Sequence, residues 1–357
     1  MTDWLIFRGT GERHDGISHL PPPPNWRAFA GGPPLPIPAA QADPGTARRL
    51  GSRRPALAGR MDPTVVQMVN AALYLRRPLL VTGKPGVGKS ALAYAVAHEL
   101  GLGPVLTWPI SSRSTLADGL YDYDPIGRLR EENLRRLYAG GDRGEAAGES
   151  GFDEAGIGRY LTLGPLGTAL LPYERPRVLL IDEIDKSDID LPNDLLHVFE
   201  EGEYAIPELR RIAATTVRVD VATADEGISA PVTNGHVRCR AFPFIVLTSN
   251  AEREFPHAFL RRCVRLVLAE PEPDQIAAMV EAHLGSDVAA RAREMIDAFV
   301  AERGGSGVYA TDQILSAVYL RFARNDAEAD AAMLQTVSAV LGDLSNPGPG
   351  KKPAAVP

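Results

Sequence analysis

Gly83-Lys84-Pro85-Gly86-Val87-Gly88-Lys89-Ser90 is the stretch on which the reading of this chain turns. It fits the spacing G-x-x-x-x-G-K-[ST], and its surroundings agree with that fit. Pro78–Thr82 reads as a short buried strand before it, and Ser90–Leu100 as a helix after it. The glycines allow backbone N–H groups to converge on phosphate oxygens with no Cβ in the way. The opening of the helix adds the positive end of its dipole. Gly83 through Gly88 are therefore expected to cradle a nucleotide's phosphates. Lys89 would reach the β- and γ-phosphates, and the Ser90 hydroxyl would ligate Mg2+.

Working outward, Val178-Leu-Leu-Ile-Asp182-Glu183 is an apolar run that ends in two carboxylates. A central strand whose tip faces a nucleotide needs that pattern. Asp182 is expected to hold Mg2+ through water, and Glu183 to orient and deprotonate an attacking water. Phe244-Ile-Val-Leu-Thr248-Ser249-Asn250 is a second buried run with a polar end. A neutral amide there can bond the γ-phosphate or the water without competing for the metal, so Asn250 is the candidate. Ala258-Phe-Leu-Arg261-Arg262-Cys263 then offers two arginines. One of them could project into a neighbour's site and stabilise charge on the transferred phosphoryl group. Spacing alone does not choose between them.

The rest of the chain frames these motifs. Residues 1–60 are rich in Pro and Gly, with PPPP at 21–24 and GGPPLPIP at 31–38. They read as an extended or disordered arm whose apolar start, MTDWLIFR, could dock on the core or a partner. Order is expected to begin near Met61, with Asp62-Pro63 as N-cap and N1 of a helix. Strands alternating with helices over residues 61–270 predict a parallel α/β sheet sandwiched by helices. Val217–Val221 and His236–Arg240 are expected to pair as a hairpin, and 139–157 to form a surface loop. Helices are expected at Pro273–Leu284, Val288–Arg303, Thr311–Phe322 and Ala327–Leu344. They make 271–345 a small helical lid domain, followed by a disordered tail at 346–357.

Composition narrows the function. The net charge of -7 argues against a chain built mainly to grip nucleic acid. Arginines in 127–143 are offset by interleaved acids, which suits a solvated helix. Cys239 and Cys263 lie in no CxxC pair, so reduced thiols are expected rather than a disulfide or metal framework. No run approaches a membrane span and no signal peptide opens the chain. A cytoplasmic location is the expectation.

In order and interval, the four motifs resemble those of AAA+ ATPases, and more closely the MoxR-type, dynein-related branch. IDEIDKSDIDLPNDLLHVFEEGEYAIPE, LTSNAEREFPHAFLRRC and ISSRSTLADGLYDYDPIGRL carry that resemblance, which extends over roughly residues 61–345. It implies ATP with Mg2+ as the ligand pair, and a homo-oligomeric ring, often a hexamer. Nucleotide would lie between subunits, completed in trans by Arg261 or Arg262. It also implies a remodelling or activating role toward a protein partner. The arm resembles that of bacterial ATPases paired with von Willebrand A domain proteins. One departure is the stretch Gly307–Ile314, which has no arginine where many such lids carry one against the γ-phosphate. A nucleotide-dependent switch or scaffold, and a nucleic-acid translocase, are the alternatives. The phosphate loop does not itself separate ATP from GTP.

Overall fold

The computed structural model describes residues 4–39, 44–51, 61–139, 154–297 and 311–322. Its centre is a five-stranded sheet: β1 (Leu79–Thr82), β2 (Leu106–Pro109), β3 (Val178–Asp182), β4 (Phe244–Ser249) and β5 (Val264–Val267). The strand order is β5-β1-β4-β3-β2 and every pairing is parallel. Val178, Leu179, Leu180 and Ile181 are each fully buried. A strand covered on both faces needs such an unbroken apolar run. The expected parallel sheet flanked by helices is therefore present. The phosphate loop follows β1, and the two polar strand ends belong to β4, its neighbour, and to β3, the strand beyond. All three carboxyl-end loops thus open on one crevice, where open α/β sheets bind ligands.

Helix α1 (Pro44–Leu50) precedes the sheet, α2 (Pro63–Leu75) leads into β1, and α3 (Lys89–Leu100) follows the phosphate loop. Asp62 caps α2, its side chain accepting the Thr64 N–H at 2.6 Å. The helix Leu191–Glu201 stops at Gly202, whose φ of 62° is left-handed, as its sequence predicts.

A six-stranded second sheet runs Tyr121–Tyr123, Leu161–Leu163, Arg218–Ala222, Ser229–Thr233, His236–Arg238, Glu203–Ala205. Here the expected hairpin is corrected. Arg218–Ala222 pairs with Ser229–Thr233, not with His236–Arg238, which pairs with Glu203–Ala205. Pro231 disguised the intervening strand, because proline lacks the N–H a ladder uses. Arg177, fully buried before β3, joins the two sheets through a bidentate pair with Asp225 at 2.7 and 2.8 Å. The expected loop at 139–157 meets the 3-10 helix Glu154–Tyr160 at its end, and its middle lies outside the described residues.

The expectation that order begins near Met61 is also corrected. Ile6, Phe7 and Ile17 are buried in the apolar cluster beneath α2 and α3. Asn70 accepts the N–H groups of Ile6 and Phe7 and donates to the Phe7 carbonyl. Fully buried Glu99 accepts from the N–H groups of Arg8, Gly9 and Gly11. Arg27 donates to the Phe199 and Arg76 carbonyls, and Leu35 bridges to Tyr173. Residues 4–39 contain two 3-10 turns, Gly16–His19 and Asn25–Arg27, and α1 follows; elsewhere buried side-chain acceptors take up backbone N–H groups.

After β5, Pro273–Leu284 and Thr311–Phe322 fall where expected. The expected helix Val288–Arg303 begins as Ser286–Arg291 and breaks at Ala292. Residues 298–310, Ala327–Leu344 and the tail lie outside the described residues. Ile276, Val280, Ile296, Ile314 and Val318 form a separate apolar cluster among these helices.

Cys239 and Cys263 are both free and buried. Burial pushes each thiol up to about 12. Neither is expected to react with a thiol reagent at pH 8 in the folded protein, and both are expected to react in denaturant. Counting labelled thiols by mass spectrometry checks this. Rapid labelling of the native chain would contradict the burial of both sites.

Candidate functional site

The phosphate loop bends through two left-handed glycines, Gly86 at φ 77° and Gly88 at φ 89°. A side chain at either would strain the turn. Gly88 is also the N-cap of α3, so that helix starts at Lys89 and aims its first N–H groups into the crevice.

The Lys89 side chain folds back over the loop. Its ammonium donates to the Gly83 and Lys84 carbonyls, each at 2.8 Å, and to Asn250 Oδ1 at 2.7 Å. All three ammonium protons therefore have acceptors. Burial pulls Lys89 below the ordinary lysine range, and Asp185, Asp182 and Glu183 oppose that pull. Asn250, from the end of β4, is joined directly to the loop lysine across the crevice.

Asp182 ends β3. Its Oδ1 accepts two hydroxyls, Ser90 Oγ at 2.7 Å and Thr248 Oγ1 at 2.6 Å. The Thr248 hydroxyl in turn accepts the Glu183 N–H at 2.8 Å. Thr248 thus ties the tips of β3 and β4 together. Glu183 itself sits at φ 63°, in the left-handed region that costs a non-glycine residue about 1 kcal/mol or more. Its half-exposed carboxylate pairs with Lys186 at 2.8 Å. Asp185, almost fully buried, accepts the N–H groups of Asn250 at 2.8 Å and Glu252 at 3.3 Å through Oδ2. That carboxylate sets the turn after β4, where Ala251 is also left-handed at φ 60°.

These groups enclose a cleft of about 300 Å³ whose walls include Pro85, Gly86, Gly88, Lys89, Ser90, Asp182, Glu183 and Asn250. Three of the sequence candidates from the loop stand off its walls. Gly83 offers its carbonyl to Lys89, Lys84 forms an ion pair with Glu270, and Val87 lines a second cavity. That cavity, about 330 Å³, abuts the first at Gly88 and Ala91 and is faced by Met61, Leu92, Leu268 and Met279.

Arg261 and Arg262 end the helix His257–Arg262 and do not line the cleft of their own chain. The Arg262 guanidinium donates to Glu200 at 2.6 Å. The Arg261 carbonyl accepts from Arg77.

Sequence reasoning passed over four residues. Thr248 and Asp185 each lie inside a motif already singled out, two residues before Asn250 and three after Asp182, so their placement was readable from the strand ends. Lys186 lies in the same run. Arg49, on α1, also lines the cleft, and nothing in the local sequence signals it.

The donor chemistry suits a nucleotide with its metal. A hydroxyl and a carboxylate oxygen held together are hard ligands of the kind Mg2+ takes beside phosphates and water. No helix among the described residues is long and apolar enough to cross a membrane.

The family comparison agrees with the fold. Residues 78–263, more than half of the chain, match the AAA domain family of the dynein-related subfamily. Among solved structures, the crystal structure of domain III from the Thermotoga maritima replication initiation protein DnaA is similar at 15% identity, over 80% of this chain and 95% of that one, with a TM-score of 0.34. No curated protein matches the chain.

Proposed function

The chain belongs to the dynein-related subfamily of AAA domains, and from that premise we propose that it binds ATP with Mg2+ in the Gly83–Ser90 cleft and hydrolyses it to drive change in a protein partner. The observation that carries the reading is the meeting of Lys89, Ser90, Asp182, Glu183 and Asn250 on one cleft. These residues come from three separate stretches of sequence and supply complementary chemistry.

In the proposed mechanism the α3 N–H groups and the loop backbone take the phosphates. Lys89 exchanges its carbonyl acceptors for β- and γ-phosphate oxygens. Ser90 and Asp182 would hold Mg2+, which supplies neutralisation of charge on the phosphoryl oxygens. Glu183 leaves its exposed pair with Lys186, a contact of small worth, and accepts a proton from the attacking water. Asn250, oriented by Asp185, positions that water or the γ-phosphate. The second cavity, with its apolar walls, suits the purine base. Arg261 or Arg262 would complete the site of a neighbouring subunit in a ring. Such a shared site links hydrolysis to subunit rearrangement, because each nucleotide state favours a different arrangement. The resemblance to MoxR-type ATPases extends the proposal to a remodelling role, with a von Willebrand A domain protein as the kind of partner.

The test is ATPase rate per subunit against protein concentration, with light-scattering mass recorded with and without ATP–Mg2+. A rate that climbs with concentration, together with an ATP-dependent large assembly, is expected. A concentration-independent rate from a monomer would overturn the shared site. No hydrolysis at any concentration would overturn the enzyme reading.

A further inference from the structure

Helix α1 is anchored at its C-terminal end. Leu50 is buried in the cluster beneath α2 and α3. Gly51, at φ 86°, packs so closely on the helix Pro273–Leu284 that a Cβ there would lie 2.6 Å from the Ala282 carbonyl oxygen. Just before these contacts Arg49 reaches the cleft and shares its wall with Gly86, Lys89, Ser90, Asp182 and Glu183. Its guanidinium lies 5.0 Å from the ring centroid of Tyr94, one turn along α3 from Ser90. Tyr94 is itself buried, with its hydroxyl against Thr107 Oγ1 at 3.2 Å.

The Arg49 Nε is buried and has no hydrogen-bond partner among the described residues. That is unusual, since a buried guanidinium N–H costs free energy when left unmade. An aromatic face steadies the cation without consuming its donors. The planar donor fork is also the geometry that pairs with phosphate oxygens. On the other side, Asp182 and Glu183 line the cleft, Asp185 lies behind it, and all three act electrostatically on Lys89. A nucleotide's phosphates add more negative charge, so a second cation at this wall meets an electrostatic need.

We propose that Arg49 binds the nucleotide's phosphate chain in cis, so that the N-terminal segment forms part of the site. This inference rests on the cleft being a nucleotide site. Because α1 packs on both α3 and the helix Pro273–Leu284, occupancy of the cleft then bears on how the N-terminal segment seats between those two helices.

The experiment measures equilibrium binding of a fluorescent ATP analogue and its displacement by inorganic tripolyphosphate, for the full chain and for Arg49→Ala, Arg49→Lys and Lys89→Ala. Arg49→Ala is expected to lose about tenfold or more in affinity for both ligands, the worth of a charge-assisted hydrogen bond. Arg49→Lys should recover part of that loss. Unchanged affinity in Arg49→Ala, with Lys89→Ala still losing binding, would overturn the Arg49 assignment and leave the cleft intact. No binding by the unaltered chain would overturn the nucleotide reading and the inference with it. Thermal melting without ligand separates a packing role: a lowered melting temperature with unchanged tripolyphosphate affinity would also overturn the proposal.

Discussion

Glu183→Gln is expected to bind ATP as the unaltered chain does and to turn it over about 100- to 10,000-fold more slowly, the range for losing a positioned general base. The amide keeps the shape of the side chain but cannot accept the proton. The backbone at this position should be preserved, because the Thr248 hydroxyl holds the Glu183 N–H and not its side chain. The lost pair with Lys186 is exposed and contributes little. Turnover at saturating ATP, with binding of the fluorescent analogue measured separately, resolves the two effects. Turnover equal to that of the unaltered chain would remove Glu183 from the base role.

Lys89→Ala is expected to weaken nucleotide affinity by about 100-fold or more, in keeping with the loss of one member of a buried, hydrogen-bonded charge pair. The ammonium is the convergence point of the Gly83, Lys84 and Asn250 acceptors. It also offsets Asp182, Glu183 and Asp185. Its removal leaves those acceptors unpaired and the carboxylates repelling one another. The stability of the ligand-free chain should therefore fall as well. Lys89→Met, which retains most of the stem, should recover stability without affinity. Isothermal calorimetry and thermal melting read both quantities, and affinity within a few-fold of the unaltered chain would detach Lys89 from phosphate binding.

Much of the site was legible because it is written in short, local patterns. A phosphate loop needs its glycines, lysine and serine within eight positions, since one turn must do the whole task. The ends of β3 and β4 announce themselves as apolar runs that stop at polar residues, because a strand buried on both faces tolerates no polar side chain until its tip. Even so, Thr248 and Asp185 were passed over, although they lie within those patterns. What they do is join one strand tip to the next, and that depends on β3 and β4 being neighbours.

The strand Ser229–Thr233 was hidden for a different reason. Pro231 argues locally against a ladder, but tertiary pairing on both sides outweighs that preference. The N-terminal segment was misjudged only in part: its apolar start docks on the core as one expectation had it, but the ordering of the residues after it was not foreseen. Its prolines and glycines disfavour helix and sheet, yet α1 forms there, and the sequence contains nothing to say that Asn70 and Glu99, far along the chain, would supply hydrogen bonds to the extended part.

By itself, then, the sequence determined the parallel α/β class, the phosphate loop and the candidate carboxylates and amide. Each rests on periodicity or spacing among residues close in the chain. Tertiary structure alone decided the strand order β5-β1-β4-β3-β2, the seating of the N-terminal segment and the presence of Arg49 at the cleft. Those features arise from contacts between residues distant in sequence, where burial and hydrogen-bond satisfaction outweigh local preference.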